Sequence, residues 1–533
     1  MPHVVALVGL LLSAAGTTAP RQASAAASAT PGPVDHATLT LYRTHCAACH
    51  GEGRLGVTGP ALIPEQFERA KPAQLVTSIL DGRPATQMAA FKDRLSRQQA
   101  EALVRLILTP LPVAPSFTID DVKKSRAVPP DAAAAPAPKP VFAADPLNLF
   151  FVVELGDHHV TVLDGDKLEP LVRQKTRAAL HGGIKYSPDG RFAWWVTRDG
   201  WITRYDVWGL KPLLEVRVGI NTRNIAVSSD GKVIMAANAL PRTLVALDAA
   251  TLEPLKVIDV AGKDGTPSRV SAVYAAPPRS SFVAALKDVP EIWELPWGED
   301  ERAPVEGLVH DYRRDSGELG DAPRERFPVR RIGVDAVLDD FFFDAKYDNL
   351  LGASRSSDGG HVVNLVVGRT VAKVPLAGMP HLGAGIAWDR NGARVMATPN
   401  LKEGVISVLD TATWTEVGRI KTLGPGFFLR SHERSRYAFA DVFFGPDKDK
   451  VHVIDKATLE IVATLQPAPG KTAAHTEFTK DGSKVLLSIW EDDGALVVYD
   501  AATLKELKRL PMKKPSGKYN VFNKIKFSEG TSH

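Results

Sequence analysis

The sequence predicts two domains of different class: a small all-α domain, followed by an all-β domain that is an eight-bladed β-propeller. Three observations carry this expectation. The chain has 533 residues, too many for one ordinary domain. A stretch dense in proline and alanine, Pro110 to Pro140, divides it. Beyond that divide, short apolar strands and turn residues recur with a step of 42 to 45 residues, the period of a propeller blade.

Taken in order, the chain opens with the apolar run Val4–Leu12, too short to span a bilayer, then small residues that include Ala23–Ala29. Residues 1–30 therefore read as a secretory signal peptide and stand outside the fold. The formal net charge of +4 gives no case for nucleic-acid or membrane-surface binding, and no membrane span is expected in the mature protein.

Residues 35–110 hold the only two cysteines, in Cys46-Ala47-Ala48-Cys49-His50. C-x-x-C-H is the covalent attachment signature of c-type haem: each thiol adds to one vinyl group, and the adjacent His becomes an axial iron ligand. A zinc half-site would need further Cys or His at matching spacing, and no other Cys exists. A redox dithiol would sit in a βαβ pattern, which is absent. Gly59-Pro60-Ala61-Leu62 follows, then Met88, then a helical tail from Leu95 to Ile107. This order resembles a small class I cytochrome c, and the resemblance implies Met88 as the sixth ligand opposite His50, with haem c as a covalent cofactor. Such cytochromes mature outside the bacterial cytoplasm, so the expected location is the periplasm.

Residues 111–142, with Val128-Pro129-Pro130 and Pro136-Ala137-Pro138, read as an extended semi-rigid linker that leaves the orientation of the two domains open. The propeller is expected over 143–533. One repeated phrase, an apolar residue then Asp and a turn, starts at Leu163, Tyr205, Leu247, Leu409, Ile454 and Tyr499, with steps of 42, 42, 45 and 45 around a gap. A second phrase is a hairpin turn: Asp189-Gly190, Asp230-Gly231, Asn391-Gly392 and Asp481-Gly482, which supply the positive φ of tight turns. The gap from 247 to 409 has room for two more units and a charged insertion from Glu299 to Arg326. The count is eight blades, with seven as the alternative.

Most of the 14 histidines fall in polar segments or beside strands. Three differ. His181, His381 and His475 stand eight, ten and six residues before the hairpin turns at 189, 391 and 481, where a loop enters a strand. Equivalent points in a propeller lie at one end of the central channel, so the three converge there as candidates for cofactor or metal coordination. Arg198 and Arg223 belong to the same early blades as His181, and Arg forks carboxylates bidentately.

A cytochrome c domain joined to an eight-bladed propeller resembles the cytochrome cd1 nitrite reductases and their relatives of haem d1 biosynthesis. The similarity rests on Ala178-Ala179-Leu180-His181 with Ser187-Pro188-Asp189-Gly190-Arg191-Phe192, on Gly378–Gly385 around His381, and on the ending Pro515–Asn523. It implies that His181 is the proximal haem d1 ligand and His381 a distal-side His. The reductases place two distal His over nitrite. Here the first of them is missing, and Asp339 stands at the aligned position. His475 appears where the reductases carry none. That combination is similar to the dihydro-haem d1 dehydrogenases of the same family. It implies dihydro-haem d1 bound noncovalently in the channel, His181 and His381 on its iron, Arg198 and Arg223 on its carboxylates, and His475 or Tyr519 taking a proton as a propionate becomes an acrylate. Electrons would pass through the c-haem to a periplasmic acceptor of the cytochrome c or cupredoxin class. Nitrite reductase and other haem d1 maturation proteins are further candidate partners. Two alternatives stay open at this stage: nitrite reduction to nitric oxide with Asp339 as acid, and a non-catalytic haem d1 carrier.

Overall fold

The computed structural model describes residues 35–83, 86–177, 179–180, 182–299, 301–302, 324–355 and 359–526. The expected signal segment lies outside the described residues, and so does His181. Among the described residues no helix is long and apolar enough to cross a membrane.

The N-terminal domain is built from helices His36–His45, Ala47–His50, Pro72–Asp81 and Arg97–Ile107. Asp35 caps the first by accepting from Thr38 N at 2.6 Å. Ser96 and Gln99 form a capping box at the last. In that last helix Ala100, Leu103, Val104 and Ile107 recur at helical spacing and are buried, packing on Tyr42, Leu75, Val76 and Ile79.

The C-terminal domain is a ring of eight four-stranded antiparallel sheets, so the count is eight and not seven. In seven blades the four strands follow one another in sequence, as in Lys185–Tyr186, Phe192–Val196, Trp201–Asp206 and Lys211–Arg217. In the first blade, the strands Leu149–Glu154, His159–Asp164 and Glu169–Lys175 are completed by the C-terminal strand Pro515–Asn520, paired with Phe150 to Glu154. This closes the ring and leaves no free inner edge. In the other seven blades the first strand in sequence lines the channel and the fourth is the rim, where side chains alternate exposed and half-buried, as in Arg369–Val374; in the first blade Pro515–Asn520 is innermost and Glu169–Lys175 is the rim.

Both repeated phrases have a structural cause. Asp248 Oδ1 accepts from Ala250 N and Thr251 N at 3.0 and 2.7 Å and so bends the chain from the third strand into the fourth. Asp164, Asp410, Asp455 and Asp500 do the same. The Gly of each Asp-Gly or Asn-Gly turn has φ between 71° and 81°. The fourth blade carries the expected insertion between Glu291–Pro296 and Arg330–Gly333.

The segment between the domains differs from the expected free linker. Ile119–Ser125 is a helix capped by Thr118, and its Val122 is buried among Trp194, Ile225 and Leu252. Ala127 and Glu215 exchange backbone hydrogen bonds at 2.9 Å, and Ala133 N and Val141 N donate to Pro212 O and Trp208 O at 3.0 Å. An edge strand offers unpaired backbone groups, and this chain satisfies those of Lys211–Arg217 with its own linker. The helical domain is docked as well. Arg69 grips Asp339 with two nitrogens at 3.0 and 3.1 Å, Gln66 Nε2 donates to Ala239 O at 3.0 Å, and Gln87 Nε2 donates to Leu155 O at 3.0 Å. Leu155 belongs to the first blade and Asp339 to the entrance of the fifth, so the helical domain straddles the end of the channel.

Candidate functional site

The C-x-x-C-H residues meet the requirements of haem attachment. His50 is buried and its Nδ1 bonds Pro60 O at 2.7 Å. Burial lowers its pKa, so the ring is neutral with Nε2 as the free lone pair, the form that binds iron. A Cβ on Gly59 would stand 2.6 Å from His50 Cε1, so only glycine lets the loop close on the ring. Cys49 is exposed and Cys46 half-buried. Burial, with Cys49 beside it, pushes the Cys46 thiol up to about 11, the reverse of a redox-active thiolate. Met88 is half-buried in the loop after Pro72–Asp81, where its carbonyl accepts from Arg83 N at 3.0 Å.

The channel end beneath this domain is cationic. Arg198, in the turn after Phe192–Val196, lines the channel: it is half-exposed to the opening yet walled by protein. Burial, with Arg223 and Arg83 adding, pulls its pKa down to about 10. Arg83 comes from the helical domain, a contribution that the propeller sequence alone does not reveal. Arg223 sits where the inner strand Asn221–Val227 bulges, and its Nε donates to Ser271 O at 2.9 Å. Burial also pulls Lys287 down to about 8. Asp339 is fully engaged here: it pairs with Arg69 at 3.0 Å and Lys287 at 3.4 Å and accepts from Arg355 N at 2.8 Å. Burial alone would raise its carboxyl, but Lys287, the Arg355 N–H and Arg69 together hold it below the ordinary value.

His181 is flanked by Leu180, bridged to Thr197, and by Gly182 at φ 82°. His381 follows Pro380, which is bridged to Asn400 in the same way. Leu180 and Pro380 belong to the second and sixth of eight blades and therefore lie on opposite sides of the channel. His381 N donates to Pro399 O at 2.8 Å, and its Nδ1 donates to Phe427 O at 2.6 Å. That bond leaves Nε2 for the channel, 3.9 Å from Asp340 Oδ2. Burial lowers the pKa of His381, so the ring is neutral.

His475 is placed by a bulge. The inner strand Ala473–Phe478 slips register between Ala474 and Thr476, and His475 takes φ 48°, a strained value for a residue with a Cβ. Asp441 holds the kink, accepting from His475 N at 3.2 Å and from Phe427 N at 2.7 Å. The imidazole lies against Phe428 and Tyr519, with ring centroids 4.6 and 5.9 Å apart. Burial first, then Lys518, Arg430 and Lys524, push the His475 pKa well below its usual 6.5. Burial raises the Tyr519 phenol to about 12. Tyr519 also explains Gly183, where a Cβ would stand 3.0 Å from the phenol ring. The structure thus gathers His381, His475, Tyr519, Arg198 and Arg223 around one channel and places His50, Cys46, Cys49 and Met88 in the domain docked on its end. Asp340, Asp441, Arg83 and Lys518 escaped sequence reasoning. Their only signal was proximity to chosen residues, as in Lys518-Tyr519.

The comparisons with known proteins agree with this geometry. The sequence model of the family described as cytochrome D1 heme domain matches residues 144–524, well over half of the chain. One described as cytochrome C oxidase, cbb3-type, subunit III matches residues 36–107. The dihydro-heme d1 dehydrogenase of Pseudomonas aeruginosa is 53% identical over 92% of this chain and 95% of its own length. A nitrite reductase of Stutzerimonas stutzeri is 26% identical over 94% of this chain and 95% of its own length. The solved structure of dihydro-heme d1 dehydrogenase NirN in complex with DHE superposes with a TM-score of 0.75 at 52% identity, covering 91% of this chain and 99% of that one. A cytochrome domain on a closed eight-bladed ring, with the ring matched over residues 144–524, makes this chain a member of the cytochrome d1 haem-domain family.

Proposed function

We propose that this protein is an oxidoreductase of haem d1 biosynthesis, a dihydro-haem d1 dehydrogenase that turns one propionate side chain of its substrate into an acrylate. The observation that carries the choice within the family is the pair of imidazole and phenol at His475 and Tyr519, set beside an Asp339 already consumed by Arg69 and Lys287. An acid for nitrite reduction must offer a proton at neutral pH. Asp339 is ionised there and faces the helical domain. His475 has the opposite properties: its ring is neutral and so has a lone pair able to accept a proton, and a strained backbone holds it in place.

In this reading the flat substrate stands in the channel with its iron between His181 and His381, a pairing supported by the opposed blades of their neighbours Leu180 and Pro380. The neutral His381 ring supplies Nε2, fixed by the bond from Nδ1 to Phe427 O. Arg198 and Arg223 hold peripheral carboxylates, with Arg83 closing over them from the docked domain. Two C–H bonds of the propionate break and one C=C bond forms. Two protons and two electrons leave; His475 takes one proton and the other passes to solvent. Tyr519, protonated until about pH 12, orients the side chain as a hydrogen-bond donor and is not the base. Cys46, Cys49, His50 and Met88 would hold a covalent haem c, which would supply one-electron transfer toward an acceptor of the cytochrome c or cupredoxin class. The reading includes export to the periplasm and a place beside nitrite reductase and other haem d1 maturation proteins in denitrification.

The test is anaerobic incubation of the protein with dihydro-haem d1 and a one-electron acceptor, followed by extraction and mass spectrometry. Loss of two hydrogens is the expected result. An unchanged tetrapyrrole, with nitrite consumed instead by protein loaded with finished haem d1, would assign the chain to the reductases. Stoichiometric binding with neither reaction would make it a carrier.

A further inference from the structure

The chemistry above leaves one buried group unused. Lys518, on the C-terminal strand that closes the ring, is 0% exposed. Its Nζ donates to His475 O and stands 3.4 Å from His475 Nδ1. Among the described residues it makes no ion pair with a carboxylate, which is rare for a lysine so deeply buried. The groups that face it at longer range are Glu477, Arg430 and Asp441. Lys524, on the terminal helix Val521–Lys526, faces His475 and Glu477, and Lys185 faces Lys524. Glu477 lies two residues below His475 on the same strand and accepts from Asn523 Nδ2 at 3.1 Å. The row His475, Lys518, Glu477, Lys524 therefore runs from the proposed site toward the end of the channel opposite the docked helical domain.

We propose that Lys518 is a positioning residue for His475 and the relay that carries its proton away through the far end of the channel. The inference rests on the dehydrogenase reading. In the resting state the Nζ lone pair accepts from Nδ1–H while one N–H of the amine donates to His475 O, so Nε2 presents its lone pair to the substrate. When Nε2 takes a proton from the propionate carbon, the Nδ1–H bond breaks and an N–H bond forms at Nζ. The imidazole is then neutral again, and Glu477, which faces Lys518 at longer range, is the next station in the row. One proton has moved one station and no electron has moved with it. Electrons leave by the haem end and protons by the other, so neither charge accumulates at the buried site. Burial supports this division of labour, since it pushes Lys518 well below its usual value and raises Glu477.

The experiment compares wild type with Lys518→Met, which keeps the length of the side chain and removes the amine. An apolar side chain in this buried site preserves the fold, and tetrapyrrole binding, followed by absorbance titration, is expected to stay within about twofold. Desaturation in a single turnover is expected to slow by roughly a hundredfold, the scale of a lost proton-transfer partner, with an altered pH profile. Independently of Lys518→Met, nitrogen-15 histidine spectra of the reduced wild-type protein, with His475 assigned by its loss in His475→Gln, should show the Nδ1–H tautomer at neutral pH. A wild-type rate and pH profile in Lys518→Met, or an Nε2–H tautomer, would overturn the relay. If wild type itself removes no hydrogens, the dehydrogenase reading falls and not merely the relay.

Discussion

His475 shows how a single residue is made reactive by its surroundings. A left-handed backbone angle at a buried imidazole costs of order 1–3 kcal/mol and persists only where neighbours enforce it. Here the enforcer is Asp441, whose carboxylate accepts from three backbone donors of the wall, the adjacent Phe427 N and Phe428 N and, from the next blade, His475 N. The imidazole titrates well below 6.5, so the base is unprotonated above that lower value and protonated only beneath it. Desaturation rates measured against pH should therefore hold constant from pH 8 down past about 6.5 and fall only in more acid solution. Tyr519→Phe should leave tetrapyrrole binding intact and slow desaturation by about tenfold, the value of roughly one orienting hydrogen bond. Gly183→Ala tests the packing beneath that phenol. A Cβ there meets Tyr519 at 3.0 Å on a backbone with φ 78°, so the substitution should cost about 1 kcal/mol in denaturant unfolding and weaken substrate binding. At this scale the sequence disclosed His381 and His475 through their distance from a turn. It could not disclose the bulge, because register is set by the neighbouring strand and not by local sequence. It also offered Asp339 as an acid, and the ion pair across the domain boundary cancels that offer.

Among the elements, the strands, their turns and the closing strand follow from local chemistry. Asp with backbone donors two and three residues on, and Gly at positive φ, produce the same hairpins wherever they occur, which is why a period of 42 to 45 residues was legible. The linker was legible only in part. Its prolines rightly excluded a core of its own, but Thr118 to Ser125 carries a capping box and one apolar residue that finds a place between two blades. Val122→Asp should place an unpaired carboxylate in that site at a cost of about 2–4 kcal/mol of local docking. Limited proteolysis would then cut between residues 111 and 142 while the propeller stays intact. Equal protease resistance in variant and wild type would mean that the helix is not a working anchor.

For the whole molecule, the helical domain is a lid fixed across the channel from the first blade to the fifth, and its Arg83 completes the cationic ring beneath it. In the Arg69–Asp339 pair of that docking the carboxylate side chain is only 2% exposed. Because the Asp339 carboxyl is held below its ordinary value, the stability of this link is present above the usual carboxylate pKa and is lost as pH falls through the lower folded value. Docking should thus be indifferent to pH between about 5 and 8. Arg69→Ala should release the domain throughout that range, increasing the radius of gyration in small-angle scattering, while Lys287 and Arg355 N–H keep Asp339 satisfied. Two domains and a propeller were readable from the sequence. Their mutual orientation was not, since it depends on contacts between residues hundreds of positions apart, such as Arg69 with Asp339.

Desaturation is driven from His475 in a channel that binds the tetrapyrrole by other residues, and that division of roles can be tested. The most direct measurement is anaerobic single-turnover incubation of His475→Ala with dihydro-haem d1, with binding read by absorbance and the extracted tetrapyrrole read by mass spectrometry. Binding like that of wild type with both hydrogens retained is the predicted result. Loss of two hydrogens at the wild-type rate would contradict the claim.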